Sequence, residues 1–148
     1  MRIINLILVL FTLILQSCDH NGCGECFTPP DRFLLEIVDK TSGENLFTNG
    51  TFDPEQIQIT NTLTNSSAEF TFISEDNINL IQINSIGWET EIVNLEFDIS
   101  DNCIFDFYVD AERKMGNCCS YTVYNEITIE ESEFELDTQT GIYKILVE

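Results

Sequence analysis

The six cysteines are the residues best placed to do chemistry in this 148-residue chain. Four fall into two close pairs, Cys23/Cys26 and Cys118/Cys119. Cys103 stands alone in an alternating stretch, and Cys18 closes an apolar leader. Four thiols could close a tetrahedral zinc site. A Cys-x-x-Cys unit could exchange disulfides, and the same residues could be plain cross-links. Neighbouring cysteines chelate one ion poorly, and they bridge one another only with strain because their side chains diverge. We therefore expect Cys23 and Cys26 to bond to Cys118 and Cys119, in an order the sequence leaves open. A lone bridge between Cys23 and Cys26 is the competing pattern. Cys103 is then the orphan. Alternation places it on the buried face with Phe105 and Phe107, where a thiol behaves as a small hydrophobe.

Other constellations are weaker. Cys23-Gly24-Glu25-Cys26 resembles the thioredoxin-like dithiol, but there the first thiol opens a helix that lowers its pKa. Here Phe27-Thr28-Pro29-Pro30 follows, which cannot begin one in that register. His20 is the only histidine and lies two residues from Cys18, so a Ser/His/Asp or Cys/His pair has no base in a folded site. Paired carboxylates for glycoside hydrolysis are plentiful, but most fall at outward strand positions or in turns. Glu130 to Glu135 reads as a solvated edge whose charges block strand-to-strand association. Asp98-Ile99-Ser100-Asp101-Asn102 groups oxygen donors as a calcium loop would, yet turn chemistry accounts for it equally. Asp53-Pro54-Glu55 is a weaker cluster of the same kind. Trp88, Tyr108, Tyr121 and Tyr124 offer stacking surfaces for a sugar or peptide, or fill cross-strand pairs. No catalytic residue, metal ligand set or cofactor is expected.

The leader sets where such cysteines would live. Met1-Arg2 and the apolar run Ile3–Leu15 are shorter than the ~20 residues a spanning helix needs, and fit the core of a signal peptide over 1–17. Leu15-Gln16-Ser17-Cys18 resembles the lipobox of bacterial lipoproteins, with Gln16 at a position usually held by a small residue. The resemblance implies cleavage before Cys18 and acylation of its thiol and new amino group, palmitate-like chains that hold a protein on a membrane. It also implies an oxidising compartment, where disulfides persist. Residues 18–31 form a polar tether ending in Pro29-Pro30, a short stiff spacer.

Beyond it, residues 32–148 suffice for one domain with a real core. All 26 acidic residues follow the leader, against Arg32, Lys40, Arg113, Lys114 and Lys144, within a formal net charge of −20. Such a surface repels nucleic acid. From Phe33 on the period is two. In Cys103–Glu112 one face carries Cys103, Phe105, Phe107, Val109 and Ala111 and the other is mostly polar. Similar runs at 33–38, 56–61, 68–74, 78–85, 89–99, 120–130, 133–137 and 142–147 are separated by Gly, Asn, Asp and Ser turns. Eight or nine such strands predict an all-β antiparallel β-sandwich of immunoglobulin-like or Greek-key type, with a β-barrel as alternative. The stretch FLLEIVDKTSGENLFTNGTF at 33–52, with the leader and spacer, is similar to small bacterial envelope lipoproteins with a β-sandwich body. That resemblance implies no activity. The expected function is non-enzymatic binding or accessory work at the outer membrane, through the lipid anchor and an envelope protein or glycan partner. The alternative is a thiol-dependent zinc or redox lipoprotein.

Overall fold

The computed structural model describes residues 24–148. The signal peptide expected over 1–17, the Cys18 anchor, His20 and Cys23 lie outside the described residues. Ten strands follow one another: β1 (Phe33–Asp39), β2 (Ile57–Asn61), β3 (Ser66–Ser67), β4 (Thr71–Ile73), β5 (Leu80–Ile83), β6 (Glu91–Ile99), β7 (Asn102–Met115), β8 (Ser120–Glu130), β9 (Glu133–Asp137) and β10 (Ile142–Val147). The only helical pieces among the described residues are single 3-10 turns at Pro54–Gln56 and Glu75–Asn77.

The strands pair into two five-stranded sheets, β4-β5-β1-β10-β9 and β3-β2-β6-β7-β8. Neither closes on itself, so the fold is the expected sandwich and not a barrel. Two details differ from expectation. The tenth strand is β3, two polar residues opposite Thr60 and Asn61 in what reads as a turn. One neighbouring pair, β1 and β10, runs parallel, from Leu34 opposite Ile142 to Asp39 opposite Val147. A parallel pair needs a long crossover, and the whole intervening chain supplies it. Alternation is the same for either direction, so periodicity carries no sign of it.

Inward residues of both sheets form one core. Val93, Leu95, Phe97 and Ile99 of β6 and Phe105, Phe107, Val109 and Ala111 of β7 are all buried. Phe97 stacks on Phe105 with centroids 4.2 Å apart. Phe33 of the other sheet meets Phe107 edge-on at 5.1 Å. Each ring, removed from water, contributes on the order of 2–3 kcal/mol. Ser100 and Asp101, at φ 54° and 62°, make the two-residue turn between β6 and β7, with both central residues left-handed as the twist of a hairpin requires. The donor-rich loop at 98–102 is thus a hairpin turn.

Two bulges reset which face the β7 and β8 side chains occupy. Phe105 lies opposite Phe97 but Cys103 lies opposite Asp98, so Ile104 is an extra residue. An inserted residue flips everything beyond it. Cys103 is therefore exposed, not buried beside Phe105 and Phe107 as alternation suggests. Further along, Asp110 faces Glu126 and Ala111 faces Tyr124, leaving Asn125 as the extra residue on β8. Tyr124 is thereby brought to the same inward face as Ile127 and Ile129.

Candidate functional site

One member of each close cysteine pair meets the other, while Cys23 lies outside the described residues. Cys26 and Cys119 form a disulfide with Cα atoms 5.4 Å apart, and Cys118 is disulfide-bonded as well. The bridge from Cys26 to Cys119 overturns the lone Cys23–Cys26 alternative. It also removes two of the four thiolates that a zinc site would use. Cys119 sits in the turn between β7 and β8, where Gly116 N–H donates to the Cys119 carbonyl at 2.9 Å.

Polar contacts continue the fastening. The Arg113 guanidinium donates to the Thr28 carbonyl at 2.7 Å, to Ser120 Oγ at 2.9 Å and to Thr122 Oγ1 at 2.8 Å. Asp31 N–H donates to the Tyr124 hydroxyl at 3.0 Å, and Thr122 Oγ1 donates to the Gly87 carbonyl at 2.6 Å. Gly87 has φ +94°, and a Cβ there would lie 2.8 Å from Thr122 Cγ2, 3.0 Å from the Tyr124 hydroxyl and 3.2 Å from Pro30 Cβ. Trp88 half covers this corner, its indole N–H on the Asn84 carbonyl at 3.1 Å and its ring 5.9 Å from Phe27. Pro30 is buried. Pro29 beside it is exposed.

On the side reached by this strap, the sandwich stands open. β8 and β9 are the terminal strands of their sheets, and both lie on this side. Ile145 of β10 is fully buried, and its partner Phe134 points the same way, as Leu136 does beside Tyr143. Yet Phe134 is 41% exposed and Leu136 45%, because among the described residues no strand lies beyond β9. Leu136 and Tyr143 face Tyr124 and Ile127 across a cleft of about 570 Å³ that Pro30 and Asp31 also line. Burial pushes the hydroxyl pKa of both tyrosines up, so they stay neutral donors. A second hollow of about 390 Å³ lies near Ile104, Ser132 and Val147. There Lys40 Nζ holds Glu133 at 3.0 Å and Glu148 at 2.8 Å. Among the described residues, Glu126, Glu130, Glu131 and Glu135 make no ion pair.

A third feature lies on the outer face of the β6–β7 pair. The bulge at Ile104 brings the Cys103 thiol next to Glu96 and Asp106, with one ligand atom from each within 4.8 Å of the others. Asp106 Oδ1 is buried without a hydrogen-bond partner. Burial, then Glu130, Glu131 and Asp98, push its carboxyl above the usual range. Burial and the same crowd of carboxylates, Asp106 first, raise the Cys103 thiol. A thiol with two carboxylates suits a borderline divalent cation better than calcium. Asp106 lies on an open sheet face away from the cleft beside β9, unlike a glycosidase acid.

The remaining candidates disperse. Tyr108 lies on the outward face opposite Asn94, Tyr121 is exposed opposite Lys114, and Trp88 serves the strap corner. Asp53 caps the 3-10 turn through Glu55 N–H at 3.0 Å. Only Tyr124 of the four aromatic candidates lines the cleft. Comparison with protein families, with curated proteins and with solved structures finds no match to this chain.

Proposed function

We propose that the chain is a lipid-anchored, non-enzymatic envelope lipoprotein that serves a binding or accessory role. Acyl chains on Cys18 would hold it on a membrane, the outer membrane in a two-membrane envelope. The observation that supports this most is the Cys26–Cys119 disulfide. It belongs to an oxidising compartment, and it begins eight residues after Cys18. A chain tied down so close behind an acylated cysteine keeps its domain near the lipid surface, in a limited range of orientations. The strap contacts of Arg113 and Tyr124 restrict that range further. Among the described residues, the polar side chains lining the cleft are Asp31, Arg32, Tyr124, Thr140 and Tyr143, a set without a histidine or thiol beside a hydroxyl, which suits holding a partner more than transforming it.

The test is fractionation of Cys18→Ser against the native chain, with labelled palmitate fed to the cells. The native chain should pellet with membranes, carry label and run at its processed size. Cys18→Ser should lose the label and retain its leader. Identical labelling, processing and fractionation of the two would refute the anchor.

A further inference from the structure

The open side has the makings of an edge-strand receptor. An edge strand presents unpaired N–H and C=O groups, and natural proteins normally cover, shorten or charge such edges. In this domain two edges stand on one side, and β8, at eleven residues, is long. Charge lies only on their outward positions: Glu126 and Glu130 on β8, Glu133, Glu135 and Asp137 on β9. The inward positions of β9 carry Phe134 and Leu136, apolar and nearly half exposed. A purely protective edge would not leave both of them uncovered. Beneath them Tyr124, Ile127 and Tyr143 line a cleft of about 570 Å³.

We propose that β9 takes up an extended, cationic segment of a partner protein as an added strand, with apolar and basic side chains in alternation. This rests on the binding role proposed above, but not on the anchor. Strand addition joins backbone to backbone, and every second side chain drops into a pocket. The partner's apolar residues cover Phe134 and Leu136 and reach the cleft between Tyr124 and Tyr143. Its basic residues emerge on the outer face beside Glu133, Glu135 and Asp137. Glu133 shares Lys40 with Glu148, and Glu135 lies opposite Lys144, which also faces Glu36, so the acids of this face outnumber its cations. Charge complementarity thus selects a basic strand, and the same acids repel a second copy of this acidic chain.

The full chain in detergent micelles would be titrated with a fluorescent ten-residue peptide alternating lysine with valine and threonine. Its glutamate counterpart, and a lysine version N-methylated at alternate residues, serve as probes of charge and of backbone pairing. Saturable binding of the lysine peptide is expected, weakened at least about fivefold by glutamate exchange or by raising salt from about 50 to about 500 mM. Methylation on the pairing edge should abolish it. Phe134→Ala with Leu136→Ala should weaken it about tenfold, and Glu133→Gln with Glu135→Gln about threefold. All four positions are exposed, and unchanged urea midpoints would confirm that these variants fold. No binding of the lysine peptide overturns the proposal. So does equal binding of the glutamate peptide or of the peptide methylated on the pairing edge, or indifference to the β9 substitutions. The Cys18→Ser experiment is unaffected by any of these results.

Discussion

Gly87→Ala isolates the joint between strap and sandwich, and its cost can be worked from two separate causes. At φ +94° an alanine adopts a conformation L residues avoid, costing about 1–2 kcal/mol. Its Cβ would also meet Thr122 Cγ2 at 2.8 Å and the Tyr124 hydroxyl at 3.0 Å, and overpacking of this kind adds about 1–3 kcal/mol. The total is about 2–5 kcal/mol, a large part of the stability of a domain this size. Gly43→Ala is the control. Gly43 lies at φ +72° with nothing within 4 Å of a new Cβ, so only the backbone cost applies there, about 1 kcal/mol. Urea unfolding of the oxidised chain, followed by far-UV circular dichroism and by Trp88 fluorescence, gives both values. The excess of Gly87→Ala over Gly43→Ala measures the contact with Thr122, Tyr124 and Pro30. Equal midpoints for the two variants would refute the close approach of strap, corner and β8.

Tryptic digestion without reductant should leave the fragment ending at Arg32 attached to the one that begins at Met115, through Cys26 and Cys119; separate fragments in that digest would contradict the bridge. Phe107→Ala should destabilise by about 3–5 kcal/mol, while Ile92→Ala, half exposed on the opposite face, should cost under about 1 kcal/mol; similar urea midpoints would contradict the inward assignment. Asp106 has a folded pKa above its unfolded value, so ionisation costs stability above the folded pKa, and that cost disappears as pH falls below the unfolded one. Asp106→Asn should therefore raise the urea midpoint at pH 7 and lose that advantage near pH 3, with a pH-independent difference contradicting the assignment. Cys103, exposed but with a raised thiol pKa, should react with iodoacetamide more slowly at pH 7.5 than free cysteine, and faster in Asp106→Asn; a rate equal to that of free cysteine would count against its surroundings.

Where one face is wet and the other dry, alternation locates strands well. The sequence runs at 120–130, 133–137 and 142–147 coincide with β8, β9 and β10. Alternation fails where a single residue is inserted, because phase is all it reads. Ile104 breaks the phase of β7 without changing its apolar character, so Cys103 looks buried and is not. On β8 a trace was present: Tyr124 and Ile127 are three residues apart, with polar Asn125 and Glu126 between, a spacing no unbroken strand puts on one face. That trace would have placed Tyr124 in the cleft. A bridge between the two regions, as Cys26–Cys119 is, was legible from the strain of a vicinal bridge, but which sulfur meets Cys119 depends on how the strap lies against the domain. The open side was invisible for a different reason. Phe134 and Leu136 are patterned like core residues, and only the strand order shows that no neighbour covers them.

The parallel pairing of β1 with β10 also governs how the domain can be assembled. β1 sits between β5 and β10, so one of its hydrogen-bonding flanks stays empty until the last strand arrives. β6, β7 and β8 pair with sequence neighbours through short turns and can zip locally in microseconds. The other sheet must wait for a loop spanning nearly the entire domain to close, and such distant contacts slow folding. Until then Leu35 and Ile37, fully hidden in the finished molecule, face water in a half-built sheet. In that interval the chain is most exposed to aggregation.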